Sequence, residues 1–108
     1  MGNVHGLMSV DFEIYGRVQG VFFRKYTIEQ AKTLRLVGWC CNSTGVPSYS
    51  NSRHDCVRGV MQGKADKVHK MQHWLEHTGS PRSHVDCVHF TNERTLDELE
   101  FDDFKIRG

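Results

Sequence analysis

No apolar run in this 108-residue chain approaches the ~20 residues that cross a bilayer, so a membrane-spanning helix is not expected. The N-terminal MGNVHGLMSV has no basic segment leading into a long apolar one and no arginine, which argues against secretory and transit signals. Gly6 stands where a myristoylation signal requires Ser or Thr, so lipidation is not expected either. A cytoplasmic protein is the expectation. Charge of one sign is also lacking: a net +1 sets up no broad field for nucleic acid or membrane, so neither is an expected partner and any electropositive site must be local. The four cysteines, Cys40, Cys41, Cys56 and Cys87, form no C-x-x-C pair, which argues against a zinc or dithiol centre. Reduced thiols are expected, with the neighbours Cys40 and Cys41 pointing to opposite faces of a strand. There is no G-x-x-x-x-G-K-[ST] loop, no C-x5-R nucleophile motif and no K/R-G-F/Y-G/A-F-V-x-F/Y element of RNA-binding sheets. No cofactor and no metal are expected.

What is present fits one domain with one core. SVDFEIYG alternates, with Val10, Phe12 and Ile14 on one side and Asp11 and Glu13 on the other, as in a strand covered on one face. Apolar positions from Arg24 to Leu36 approach helical spacing, and VGWCCN and CVRGVMQG read as two strands of a hairpin. Lys64 to Thr78 carries the apolar stripe Val68, Met71, Trp74 and Leu75, with Gly79 and Pro81 as the stop. HVDCVHF is β-rich, and LEFDDFKIRG reads as a last strand with a bulge near Asp102 and Asp103, because Leu99 and Phe101 are out of phase with Phe104 and Ile106. The order predicts an α+β, ferredoxin-like α/β sandwich: an antiparallel sheet with two helices on one face, βαββαβ plus an edge strand. Residues 1–7 are expected to be a flexible N-terminus, and 8–108 the single domain.

Chemistry concentrates in GRVQGVFFRKYT, Gly16 to Thr27. It spans a strand-to-helix turn, where backbone N–H groups lack partners and the helix dipole is positive. Gly20 permits dihedrals that let successive amides converge on an anion, and Arg24 adds a planar fork for two oxygens. Phe22, Phe23, Trp39 and Trp74 are expected in the core or as pocket walls. His69, His73 and His77 recur every four residues on the second helix, opposite its apolar stripe, and read as a solvated face rather than metal ligands.

GRVQGVFFR resembles the signature of the acylphosphatase family, and the resemblance continues through RLVGW, VRGVMQG, DKVHKMQHWL, GSP and EFDDF. It implies metal-free hydrolysis of a small-molecule acyl phosphate by a monomer, with phosphate or sulfate as a bound anion. The backbone amides of Gln19, Gly20, Val21, Phe22, Phe23 and Arg24 would cradle phosphate. Arg24 would bind its charge, and the asparagine after the GW strand, Asn42, would position the attacking water. The chain departs from the family in NSTGVPSYSNSRHDCVRG, where a tight turn is replaced by a longer segment with an inserted loop at about 45–53. Counting back from Val57 selects Asn51 instead, on that loop, but the rigid strand end favours Asn42. If the lengthened hairpin impaired turnover, the same fold would serve as a non-catalytic anion- or protein-binding module. Arg35 replaces a usual glycine at the end of the first helix, which implies local strain or a different cap.

Overall fold

The computed structural model describes residues 6–107. Most of the N-terminal segment expected to be flexible lies outside them, whereas Leu7 already belongs to the first strand. The elements are β1 (Leu7–Arg17), α1 (Phe23–Thr33), β2 (Val37–Gly45), β3 (His54–Lys64), α2 (Ala65–His77), β4 (His84–Leu96) and β5 (Phe104–Ile106). They form one five-stranded sheet in the order β4-β1-β3-β2-β5.

The alternation in β1 buries what it was expected to bury. Val10, Phe12 and Ile14 are no more than 1% exposed and stand opposite Met61, Gly59 and Val57 of β3. On them pack Phe23 and Ala31 of α1 and Val68, Met71 and Leu75 of α2, so both helices share one face of the sheet and one core. Each large side chain buried there contributes about 1.5–3 kcal/mol of transfer free energy. The opposite face, the open face, carries no helix and is mixed, with half-buried Asp11 and Glu13 beside buried Tyr15. There Trp39 lies between the guanidinium groups of Arg58 and Arg107, 5.6 and 4.3 Å from its ring, so it covers the open face instead of entering the core. Phe23 is in the core and Trp74 packs at its margin.

The C-terminal region corrects two expectations. Only Phe104–Ile106 is a strand, and Leu99 to Asp103 is not its bulged first half. Those residues cross the end of the sheet from the β4 edge to the β2 edge. The crossing is anchored where the buried Gln62 accepts the Glu100 N–H at 2.9 Å and donates to the Glu100 carboxylate at 2.7 Å. The broken phase is therefore a connection ending, not a bulge. Because that connection stays at one end of the sheet, β5 runs back parallel to β2, pairing Gly38 with Phe104, and the sheet is mixed instead of wholly antiparallel. β4 also outruns HVDCVHF: its ladder with β1 reaches Leu96 past an irregularity where Asn92 takes a positive φ of 49°.

The hairpin is longer than a tight turn, yet regular. β2 and β3 pair without a slip from Val37↔Gln62 to Gly45↔His54, so only residues 46–53 connect them. The connection folds over the open face: Ser48 Oγ lies 3.4 Å from Nε2 of His89 on β4, and the Tyr49 ring packs on His54. Under it Tyr15 is buried and donates to Glu13 at 2.6 Å.

Candidate active site

The turn between β1 and α1 depends on two glycines for different reasons. Gly16 has φ +137°, and a Cβ there would lie 2.1 Å from the His84 carbonyl oxygen, so it permits the close approach of β1 to β4. Gly20 has φ +75° with nothing within 4 Å of a Cβ, so backbone conformation alone requires glycine. Phe22 is also left-handed, with φ 59° and ψ 25°, at the N-cap of α1. Two left-handed residues around Val21 curl the chain into a concave run of amides.

Among the described residues, none of the amides from Gln19 to Arg24 donates to another protein group. The first helical bond runs from the Tyr26 N–H to the Phe22 carbonyl at 3.0 Å, the N-cap makes no side-chain bond, and the first turn has no acidic residue. Among the described residues, neither a capping side chain nor a first-turn carboxylate offsets the positive end of α1. The apolar triplet is divided: Phe23 is 1% exposed, Val21 packs at the core margin, but Phe22 is 71% exposed. Of its two expected places, core or pocket wall, Phe22 takes the wall: the left-handed backbone turns its side chain outward, where it lines a cleft.

Sequence reasoning assigned Gln19 a backbone role and missed its side chain. The Gln19 Nε2 group donates to the carbonyls of Ser43, at 2.9 Å, and Cys56, at 3.0 Å. These residues face each other across the β2–β3 ladder. One amide thus fastens the turn to both hairpin strands. The only available signal was a polar residue inside an otherwise apolar and glycine turn.

Arg24 is half-buried in the first turn of α1 and has no ion-pair partner among the described residues. Burial pushes the Cys40 thiol up to about 12, and the Arg24 charge pulls against that rise, so the guanidinium lies within electrostatic reach of β2. Cys40 is therefore no nucleophile at neutral pH. Burial likewise raises Cys56, and His54 contacts Ser50 Oγ at 3.0 Å, so His54, Asp55 and Cys56 form no triad.

Asn42 lies two residues beyond Cys40 on the same face of β2, opposite the core residue Val57 and next to Ser43, whose carbonyl Gln19 holds. Its side chain is exposed and makes no hydrogen bond among the described residues. Sheet pairing thus brings Asn42 to the helix side of the sheet, where α1 and Arg24 begin. Asn51 sits in the connection that bends over the other face. His69, His73 and His77 are exposed, and no group of metal-ligating side chains occurs among the described residues.

A cleft of about 330 Å³ adjoins the turn, lined by Gly20, Val21, Phe22, Tyr26, Pro81 and Arg82. A larger one, about 480 Å³, lies at the far end of the sheet beside Leu7, Leu34 and Lys64, away from the converging amides. Of the two, the smaller cleft is the one that adjoins amides without a protein partner among the described residues.

The acylphosphatase family model matches residues 10–106. Acylphosphatase-1 of Gallus gallus is 49% identical over 107 residues, covering 99% of each chain. Acylphosphatase-1 of Homo sapiens is 45% identical over 106 residues, covering 98% of each. A solved acylphosphatase from Coxiella burnetii superposes with a TM-score of 0.71 at 29% identity, covering 94% of both chains. With nearly its whole length matched at these identities, the chain belongs to the acylphosphatase family.

Proposed function

We propose that this protein is a hydrolase that cleaves the carboxyl–phosphate bond of acyl phosphates at the β1–α1 turn. The observation that carries the reading is the run of partnerless amides from Gln19 to Arg24 at an uncapped helix start, with a half-buried guanidinium beside them. Such an arrangement suits a tetrahedral dianion.

The chemistry asks little more of the protein. The leaving group is a carboxylate whose conjugate acid has a pKa of about 4–5, so it departs without a proton and needs no general acid. The amides of Gln19, Gly20, Val21, Phe22, Phe23 and Arg24 take the phosphoryl oxygens, and Arg24 offsets their charge. Asn42 holds a water in line with the bond to be broken. The water oxygen bonds to phosphorus, the phosphorus–acyl oxygen bond breaks with its electron pair leaving on the carboxylate, and one water proton passes to a phosphate oxygen. Products are a carboxylate and dihydrogen phosphate.

The unbroken β2–β3 register supports Asn42 over Asn51, because the lengthened hairpin leaves Asn42 inside the ladder. The insertion at about 45–53 is best read as a connection that covers the open face, and nothing about it favours a binding module without turnover. A monomer acting in the cytoplasm, with phosphate or sulfate competing for the turn, completes the proposal.

Hydrolysis of benzoyl phosphate tests it. Arg24→Lys and Asn42→Ala are each expected to lower kcat by about 10²–10³, the range for losing one preorganised donor. Asn51→Ala should leave it within about twofold, as for a surface change away from the site. Full activity in Arg24→Lys would overturn the assignment.

A further inference from the structure

The acyl group also needs a place. The following rests on the reading that Asn42 positions the water. In-line displacement sets the nucleophile and the leaving group on opposite sides of phosphorus. The sheet order runs β4-β1-β3-β2, and the amide turn leaves the end of β1. A water held from β2 therefore approaches from one side of β1, and the acyl oxygen departs toward the other, where the α2–β4 turn enters β4.

The smaller cleft lies on that side. Its walls are Gly20, Val21 and Phe22 of the amide turn, Tyr26 one helical turn on, and Pro81 and Arg82 of the α2–β4 turn. Phe22 and Tyr26 are exposed aromatics on its wall, apolar surface against which the carbons of an acyl group can lie. Arg82 has no ion-pair partner among the described residues. Its turn is held: the Ser83 N–H and hydroxyl both donate to the Ser80 carbonyl, at 3.0 and 2.7 Å, and the Gly79 N–H donates to the Trp74 carbonyl at 3.0 Å. A guanidinium without an ion pair among the described residues, on a fixed turn beside a cleft with two aromatics in its lining, is placed to read charge on the leaving group.

We propose that Arg82 is a specificity residue that favours acyl phosphates whose acyl group carries a second anionic group, a carboxylate above all, with Phe22 and Tyr26 flanking the intervening carbons. The phosphate site supplies the chemistry and Arg82 selects the substrate.

Two rigid substrates of equal reach test this: 4-carboxybenzoyl phosphate and 4-methylbenzoyl phosphate. The wild type is expected to favour the carboxylated one in kcat/KM by about fivefold, the upper end for a solvent-exposed ion pair. Arg82→Gln should remove that preference through KM while leaving the methyl substrate within about twofold, and added salt should shrink the preference in the wild type. Asn42→Ala should lower kcat for both and preserve their ratio. Equal effects of Arg82→Gln on the two substrates, or a wild type without preference, would overturn the proposal. Calorimetric binding of 4-carboxybenzyl- and 4-methylbenzylphosphonate separates it from the hydrolase reading. Arg82-dependent preference for the carboxylated phosphonate supports the specificity site even if neither acyl phosphate turns over, and absence of preference in both assays refutes it.

Discussion

Replacing Gln19 tests whether the turn acts as a preorganised cradle or is merely shaped by its glycines. Its side-chain amide spans two carbonyls, of Ser43 and Cys56, from strands 24 and 37 residues away. In Gln19→Met the shape is kept but both donors go. At about 1 kcal/mol net for each hydrogen bond, the loss is about 2 kcal/mol. For a domain of this size it appears in a thermal melt as a fall of about 8–10 °C. Gln19→Glu should be worse, because a carboxylate then faces two carbonyl oxygens and places negative charge beside the proposed anion site. The two variants together separate stability from chemistry. Both should raise the inhibition constant of inorganic phosphate and lower kcat for benzoyl phosphate, with the glutamate variant further down on each. If both lose stability while phosphate inhibition and kcat stay at wild-type values, the side chain braces the hairpin only, and its proposed control of the amides is wrong.

Arg35 stands at φ 59° at the end of α1, where the Leu36 N–H reaches back to the Ala31 carbonyl at 2.8 Å, so Arg35→Gly should raise stability by about 1 kcal/mol in urea titration. Gly16→Ala should cost more than about 3 kcal/mol by the same measurement, since its Cβ would collide with backbone at a φ that disfavours side chains. The Glu100 carboxyl is held below its ordinary value of 4.5 by hydrogen bonds from Arg94 and then Gln62. A depressed folded value means that its contribution is complete above about pH 4.5 and drains away as pH falls through the folded value. Glu100→Gln should therefore flatten the acid limb of a stability-versus-pH curve, and an unchanged limb would refute the linkage. Iodoacetamide at pH 8 should leave Cys40 unlabelled in the native protein, because its thiol is pushed up to about 12; rapid labelling found by peptide mapping would contradict that burial.

Much of the fold was legible because periodicity reports which side of an element meets the core. The two-residue rhythm of β1 and the three-to-four-residue stripe of α2 each bury the side chains they mark. The amide turn was legible for another local reason: a glycine at φ +75° and an uncapped helix start are properties of a few consecutive residues. The last strand was misjudged because Leu99 and Phe101 are apolar without alternating into a sheet. Their connection is held by the side chain of Gln62, which is distant in sequence.

By itself, then, the sequence determined the order of the main strands and helices, which faces of β1 and α2 are apolar and where the chain turns on glycine before α1. Those features arise from neighbours within a helical turn or two strand positions. Only the tertiary structure decided that Phe22 faces solvent, that Gln19 clasps two strands, that β5 closes the sheet in parallel and that Arg82 stands across β1 from Asn42. Each depends on groups far apart along the chain meeting through sheet order, and residue spacing carries no record of a partner on another strand.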